Sequence, residues 1–104
     1  MTIEEQFSAH IRTCLEEARR LGYSGSIIQQ MLDNHGAVGA AKRLVWLEPR
    51  EARKSGFERM VEMGRMDLTV EQAMLDSRFS GLFGADELVI ARWRLDNPNW
   101  TRNL

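Results

Sequence analysis

Cysteine is almost missing from this chain. Only Cys14 stands among 104 residues, so an intrachain disulfide is excluded and a reducing compartment suits the protein. Proline occurs only at Pro49 and Pro98, leaving few places where its geometry must end a helix. No apolar run approaches the roughly 18 residues that a membrane span requires. No alternation of apolar and polar residues marks a strand. The opening residues, MTIEEQF, are acidic where a secretory leader would be basic and then apolar. A cytoplasmic location and no membrane partner are therefore expected. Charge of one sign is also lacking. The net value of −1 gives no overall pull toward nucleic acid or lipid.

What is present is helical spacing, interrupted by glycine. The apolar fraction of 43% is ordinary for a folded domain and argues against disorder. At this length one domain over residues 1–104 is the natural reading. The stretch from Gly56 to Leu75 organises it. Phe57, Met60 and Val61 recur at helical spacing. Gly64 stands where that pattern stops, as a left-handed cap would. Thr69 with Gln72 three positions on is a capping box that starts the next helix. Met66 and Leu68 line the corner between the two.

The rest follows in order. Thr2 and Glu5 form a second capping box. Ile3, Phe7, Ile11, Cys14, Leu15, Ala18 and Leu21 then make one apolar stripe. Gly22 ends that helix. Ser26 is the expected cap of a short second helix that runs to Gly36. A third carries Val38, Ala41, Leu44, Val45 and Leu47, and must stop near Leu47 because Pro49 disfavours helix before it. Its small residues permit close helix approach. Residues 48–55, EPREARKS, are the most polar stretch and are expected to be the least ordered. Phe79, Leu82 and Phe83 form an aromatic connector. Asp86 opens a last helix whose Leu88, Ala91 and Leu95 face inward, and Asn97-Pro98 ends it. The tail, 97–104, is expected to be loosely held unless Trp100 docks. The fold class is all-α: a single small orthogonal bundle of five to six short helices.

Reactive constellations are few. His10 and Cys14 are four apart on one helix, a spacing that can present two metal ligands. A metal site needs more ligands than that, so neither metal nor cofactor is expected. Cys14 lies on the apolar stripe, where burial should raise its pKa and blunt it as a nucleophile. Glu58 and Glu62 share a helix face and read as solvated charges, not as an acid–base pair. Gly36-Ala37-Val38-Gly39 lacks the lysine-hydroxyl ending of a phosphate loop. The expectation is a protein that is not an enzyme.

Surface charge is uneven. Between Lys42 and Arg65 seven basic residues face four acids, and each flank carries −2. Lys42, Arg43, Arg50, Arg53 and Lys54 form a basic strip able to meet phosphates or an acidic protein surface. A surplus of three charges is small for tight non-specific nucleic-acid binding. Tryptophan supplies the other cue. Trp93 lies between Arg92 and Arg94, a composition typical of interface hot spots. The candidate partner-binding residues are thus Lys42, Arg43, Arg50, Arg53, Lys54, Arg92 and Trp93.

One set of residues resembles a known arrangement. It comprises Leu21-Gly22-Tyr23, Met31-Leu32, the run from Gly36 to Leu44, and Ser55-Gly56-Phe57. It continues with Gly64-Arg65-Met66-Asp67-Leu68-Thr69-Val70-Glu71, Phe79, Leu82-Phe83, Glu87 and Ala91-Arg92. Together these resemble a small helical domain of uncharacterised function found in bacteria, alone or appended to restriction-type nucleases. Gly84 departs from it, where a hydroxyl cap is expected. The resemblance implies no catalytic residues and a setting in bacterial or phage conflict. A protein-interaction module is expected, of the kind by which an anti-CRISPR inhibitor occludes a host defence complex. The alternatives are a nucleic-acid-binding accessory domain using the basic segment 42–65, and self-association through the last helix.

Overall fold

The computed structural model describes residues 1–48 and 56–100. Helix α1, Ile3–Arg20, begins with the expected box. Thr2 Oγ1 accepts from the Glu5 N–H at 3.1 Å, and Glu5 Oε1 accepts from the Thr2 N–H at 3.2 Å. Phe7, Ile11, Cys14, Leu15 and Ala18 are buried along one side. Ile3 and Leu21, expected on the same stripe, are exposed. They lie at the two ends of the helix, beyond the elements that pack on its middle. The helix stops at Gly22, where the Tyr23 N–H donates back to the Ala18 carbonyl at 3.0 Å.

Helix α2, Ser26–Val45, differs from expectation in two ways. Its cap is Gly25, in the left-handed region, and Ser26 is its first helical residue. Gly25 is buried, and a Cβ there would collide with the Leu15 side chain, so the position demands glycine more than it demands a hydroxyl. The two helices expected on either side of Gly36 are joined without a loop. Gly36 alone leaves helical geometry, at φ 72° and ψ 173°. That conformation is accessible to glycine and strained for other residues. Beyond the kink, Ala37, Ala40, Ala41, Leu44 and Val45 are buried. Their small side chains let this half approach its neighbours closely.

The Gly56–Leu75 stretch folds as two helices around a corner. Helix α3, Phe57–Glu62, ends at Gly64, and the Arg65 N–H donates to the Met60 carbonyl at 2.8 Å. A single 3-10 turn, Met66–Leu68, leads to helix α4, Val70–Leu75. Thr69 Oγ1 accepts from the Gln72 N–H at 3.2 Å and donates to the Met66 carbonyl at 2.7 Å. The Thr69 N–H is taken by the same carbonyl, so the box is made on one side only. A second 3-10 turn, Ser80–Leu82, precedes helix α5, Ala85–Asp96. The described residues contain helices and 3-10 turns and no strand.

Three phenylalanines mark the centre. The Phe7 ring meets Phe79 and Phe83 edge-on, each at 5.3 Å between centroids, a favoured arrangement for aromatic pairs. Around them lie Ile11, Ala41, Val45, Met74 and Ala91. Of the tail, residues 97–100 are described. Trp100 is buried against Phe57 and Leu95. Residues 101–104 lie outside the described set, as do Pro49 to Ser55.

Candidate docking face

The reactive pair foreseen on α1 is present as geometry. Cys14 Sγ lies 3.7 Å from His10 Nε2. Burial pushes the Cys14 thiol up, the Asp67 charge adds to this, and Arg65 opposes it. The thiol is therefore held protonated and is a poor nucleophile. Among the described residues no three His, Cys, Asp or Glu side chains converge to hold a metal ion. The internal pocket bordered by Cys14, Met60, Thr69 and Glu71 has a volume of about 40 Å³. That suits a water molecule, whereas small-molecule sites run to roughly 300–1,000 Å³.

Helix α5 carries the most unusual feature, because it buries a carboxylate and a guanidinium while exposing a valine and a tryptophan. Its buried side includes Glu87, Ala91, Arg94 and Leu95. Its solvent side includes Val89, 66% exposed, and Trp93, 52% exposed. Two charged residues lie within and two large apolar ones lie without, next to the exposed Asp86, Arg92 and Asp96. Charged residues are seldom buried unless paired, and the pairing here is extensive. Arg94, 3% exposed, donates from Nη1 to the Leu44 carbonyl at 2.9 Å and to Glu71 Oε2 at 3.1 Å. Its Nη2 donates to the Val45 carbonyl at 3.0 Å and the Leu47 carbonyl at 3.4 Å. The last carbonyls of a helix have no partner within it, so Arg94 closes the end of α2. Its guanidinium also lies 4.4 Å from the centre of the Trp100 ring. Burial pushes the Glu71 carboxyl up, and the Arg94 charge acts against that push.

Glu87 does related work at the other end of α5. Its Oε1 accepts from the Gly84 N–H at 2.9 Å, which supplies a cap where Gly84 has no side chain to give one. Its Oε2 accepts from Trp46 Nε1 at 3.0 Å, and Lys42 Nζ lies 3.6 Å from Oε1. The Gly84 N–H holds the Glu87 carboxyl below its ordinary value, despite its burial, with help from Trp46 and Lys42. Trp46 is thereby pinned by its polar edge while 58% of the residue stays exposed.

These two anchors bring the end of α2 against α5 and leave an open groove of about 340 Å³ between them. It is lined by Val45, Trp46, Leu47, Ile90, Trp93 and Trp100, among others. Trp100 Nε1 is buried and has no hydrogen-bond partner among the described residues. No family model, curated protein or solved structure matches this chain. The groove and its rim are consequently read from their own chemistry.

Of the residues proposed from sequence, Arg92 and Trp93 are exposed on α5, and Arg43 is exposed on α2. Lys42 is bound to Glu87. Arg50, Arg53 and Lys54 lie outside the described residues. The remaining cations of the basic segment face acids: Arg59 with Glu62, and Arg65 with both Asp67 and Glu17. Sequence reasoning missed Trp46 and Val89 as surface, and Glu71 and Arg94 as interior. A signal existed for Arg94. It is three residues from Ala91 and seven from Glu87, on the same helical face.

The Gly64-to-Glu71 block that forms part of the resemblance also finds its explanation here. Gly64 turns the chain and Arg65 grips Asp67 with two bonds of 3.0 Å. Thr69 caps α4, and Glu71 receives Arg94. Each of these residues builds the corner.

Among the described residues no helix is long and apolar enough to cross a membrane.

Proposed function

We propose that this chain is a non-catalytic protein-interaction module that docks through the outer face of α5 and the adjoining groove. One observation carries the reading: α5 buries Glu87 and Arg94 and exposes Val89 and Trp93, and Trp46 lines the groove beside Trp93. From the size of such side chains, the three expose roughly 350 Å² of largely apolar surface. That is within the range of the largest patches on soluble monomers, which are often functional. Exposed tryptophan beside arginine, here Trp93 and Arg92, is the chemistry of interface hot spots. In the conflict setting implied by the sequence resemblance, such a module acts by occlusion or bridging, in the manner of an anti-CRISPR inhibitor. Most described cations of the 42–65 segment are already offset by acids, which favours a protein partner over nucleic acid.

Site-specific photo-crosslinking tests this. A photoreactive residue at position 89 or 93 should give a discrete crosslinked species in cells at native expression. The same group at Gln30, on α2 and outside the groove, should not. Equal products from all three positions, or none from any, would defeat the reading.

A further inference from the structure

The geometry points to a second copy of this chain as the occupant of the α5 face, packed antiparallel about a two-fold axis at Val89. The inference rests on the docking reading above and specifies its partner. The exposed face of α5 runs through Ala85, Asp86, Val89, Arg92, Trp93 and Asp96, the three- and four-residue spacing of a single helical stripe. In a two-fold contact the same patch meets itself, so residues equidistant from the axis face each other. With Val89 at the axis, Arg92 of one protomer lies opposite Asp86 of its partner, and the reverse holds at the other end. Trp93 lies opposite Ala85, a large side chain over a small one. The stripe is complementary to itself in charge and in size.

The state of these side chains within one chain supports the pairing. Neither Arg92 nor Asp86 makes an ion pair or hydrogen bond among the described residues, and both are exposed. Elsewhere in the molecule several charges are already committed, such as Glu87 to Lys42 and Asp76 to Arg78. Val89 and Trp93 contribute roughly 250 Å² from each copy. The contact is smaller than the roughly 1,200 Å² of stable specific interfaces. A weak dimer follows, in which electrostatic matching sets the register.

Charge reversal tests the proposal with the full chain. In sedimentation velocity from about 5 to 500 μM, the native protein should pass from monomer to dimer. Arg92→Asp and Asp86→Arg each place two like-charge pairs in the interface, and each should weaken self-association at least tenfold. Mixed in equal amounts, the two variants should form a heterodimer at least as tight as the native dimer, since every cross pair is then opposite in sign. Circular dichroism melts confirm that both variants remain folded, as exposed positions allow. A native protein that stays monomeric throughout overturns the second-copy proposal. Crosslinks from position 93 to a different protein would then leave the docking reading standing, and no crosslinks would remove both. A native dimer indifferent to both reversals, or variants that fail to recover on mixing, also overturns the antiparallel register.

Discussion

Helices α1 and α5 reach the same interior by opposite means. Helix α1 buries Phe7, Ile11 and Leu15 and turns Glu4, Glu5, Arg19 and Arg20 to water. Helix α5 buries Glu87 and Arg94 and turns Val89 and Trp93 to water. The first holds its place by non-directional apolar burial. The second adds to the burial of Ala91 and Leu95 a set of hydrogen bonds of fixed direction. Arrangement of charge within a helix, and not apolar content alone, distinguishes a helix that only builds the core from one that also presents a face.

The largest effects should come from striking each helix at its anchor. Phe7→Ala should cost about 3–5 kcal/mol through the cavity it leaves. Arg94→Met should cost about as much, roughly 3–5 kcal/mol, for a different reason: it strands the Glu71 carboxylate away from water. Thermal melts separate the causes. Adding Glu71→Leu to Arg94→Met should recover part of the loss, because both charges are then gone while the Leu44 and Val45 carbonyls still lack their donor. An Arg94→Met protein that melts like the native one would remove the contrast between the helices.

A smaller loss is expected at the corner that supports α5. Thr69→Ala removes the bond from Gln72 N–H and the bond to Met66, and should cost about 1–2 kcal/mol by chemical denaturation. Below that lies the acid response of Glu87. Its folded pKa sits below the ordinary value of 4.5. Its contribution to stability is therefore complete above that pH and lost as pH falls through the folded value. Tryptophan emission should report an acid transition as Trp46 loses its acceptor, and Glu87→Gln should shrink it. The smallest effect belongs to the outer face. Trp93→Ser should change stability by no more than about 0.5 kcal/mol while weakening self-association. A large loss of stability there would mean that Trp93 belongs to the core.

Much of this architecture was legible in the residues. The Thr2–Glu5 box, the stops at Gly22 and Gly64, the Thr69 cap and the apolar stripe of α1 all follow from local chemistry. Local rules failed where a distant partner decides. Gly25 replaces Ser26 as a cap because Leu15 crowds it. Arg94 reads as a surface residue until the carbonyls of α2 and the carboxylate of α4 are placed beside it. Trp46 is exposed yet fixed by one edge to Glu87, a partner far along the chain. The docking face was only half visible for the same reason. Arg92 and Trp93 announce themselves by type, whereas the exposure of Val89 and Trp46 follows only once α5 and the end of α2 are packed together.

Arg94 grips the backbone immediately around Trp46 and the carboxylate of α4 with one planar group. The outside is thus indexed to the inside by a rigid fork. Heat that loosens the middle of the molecule should disorder the proposed docking face in the same step. Loss of the proposed self-association and loss of helix should then trace one curve against temperature.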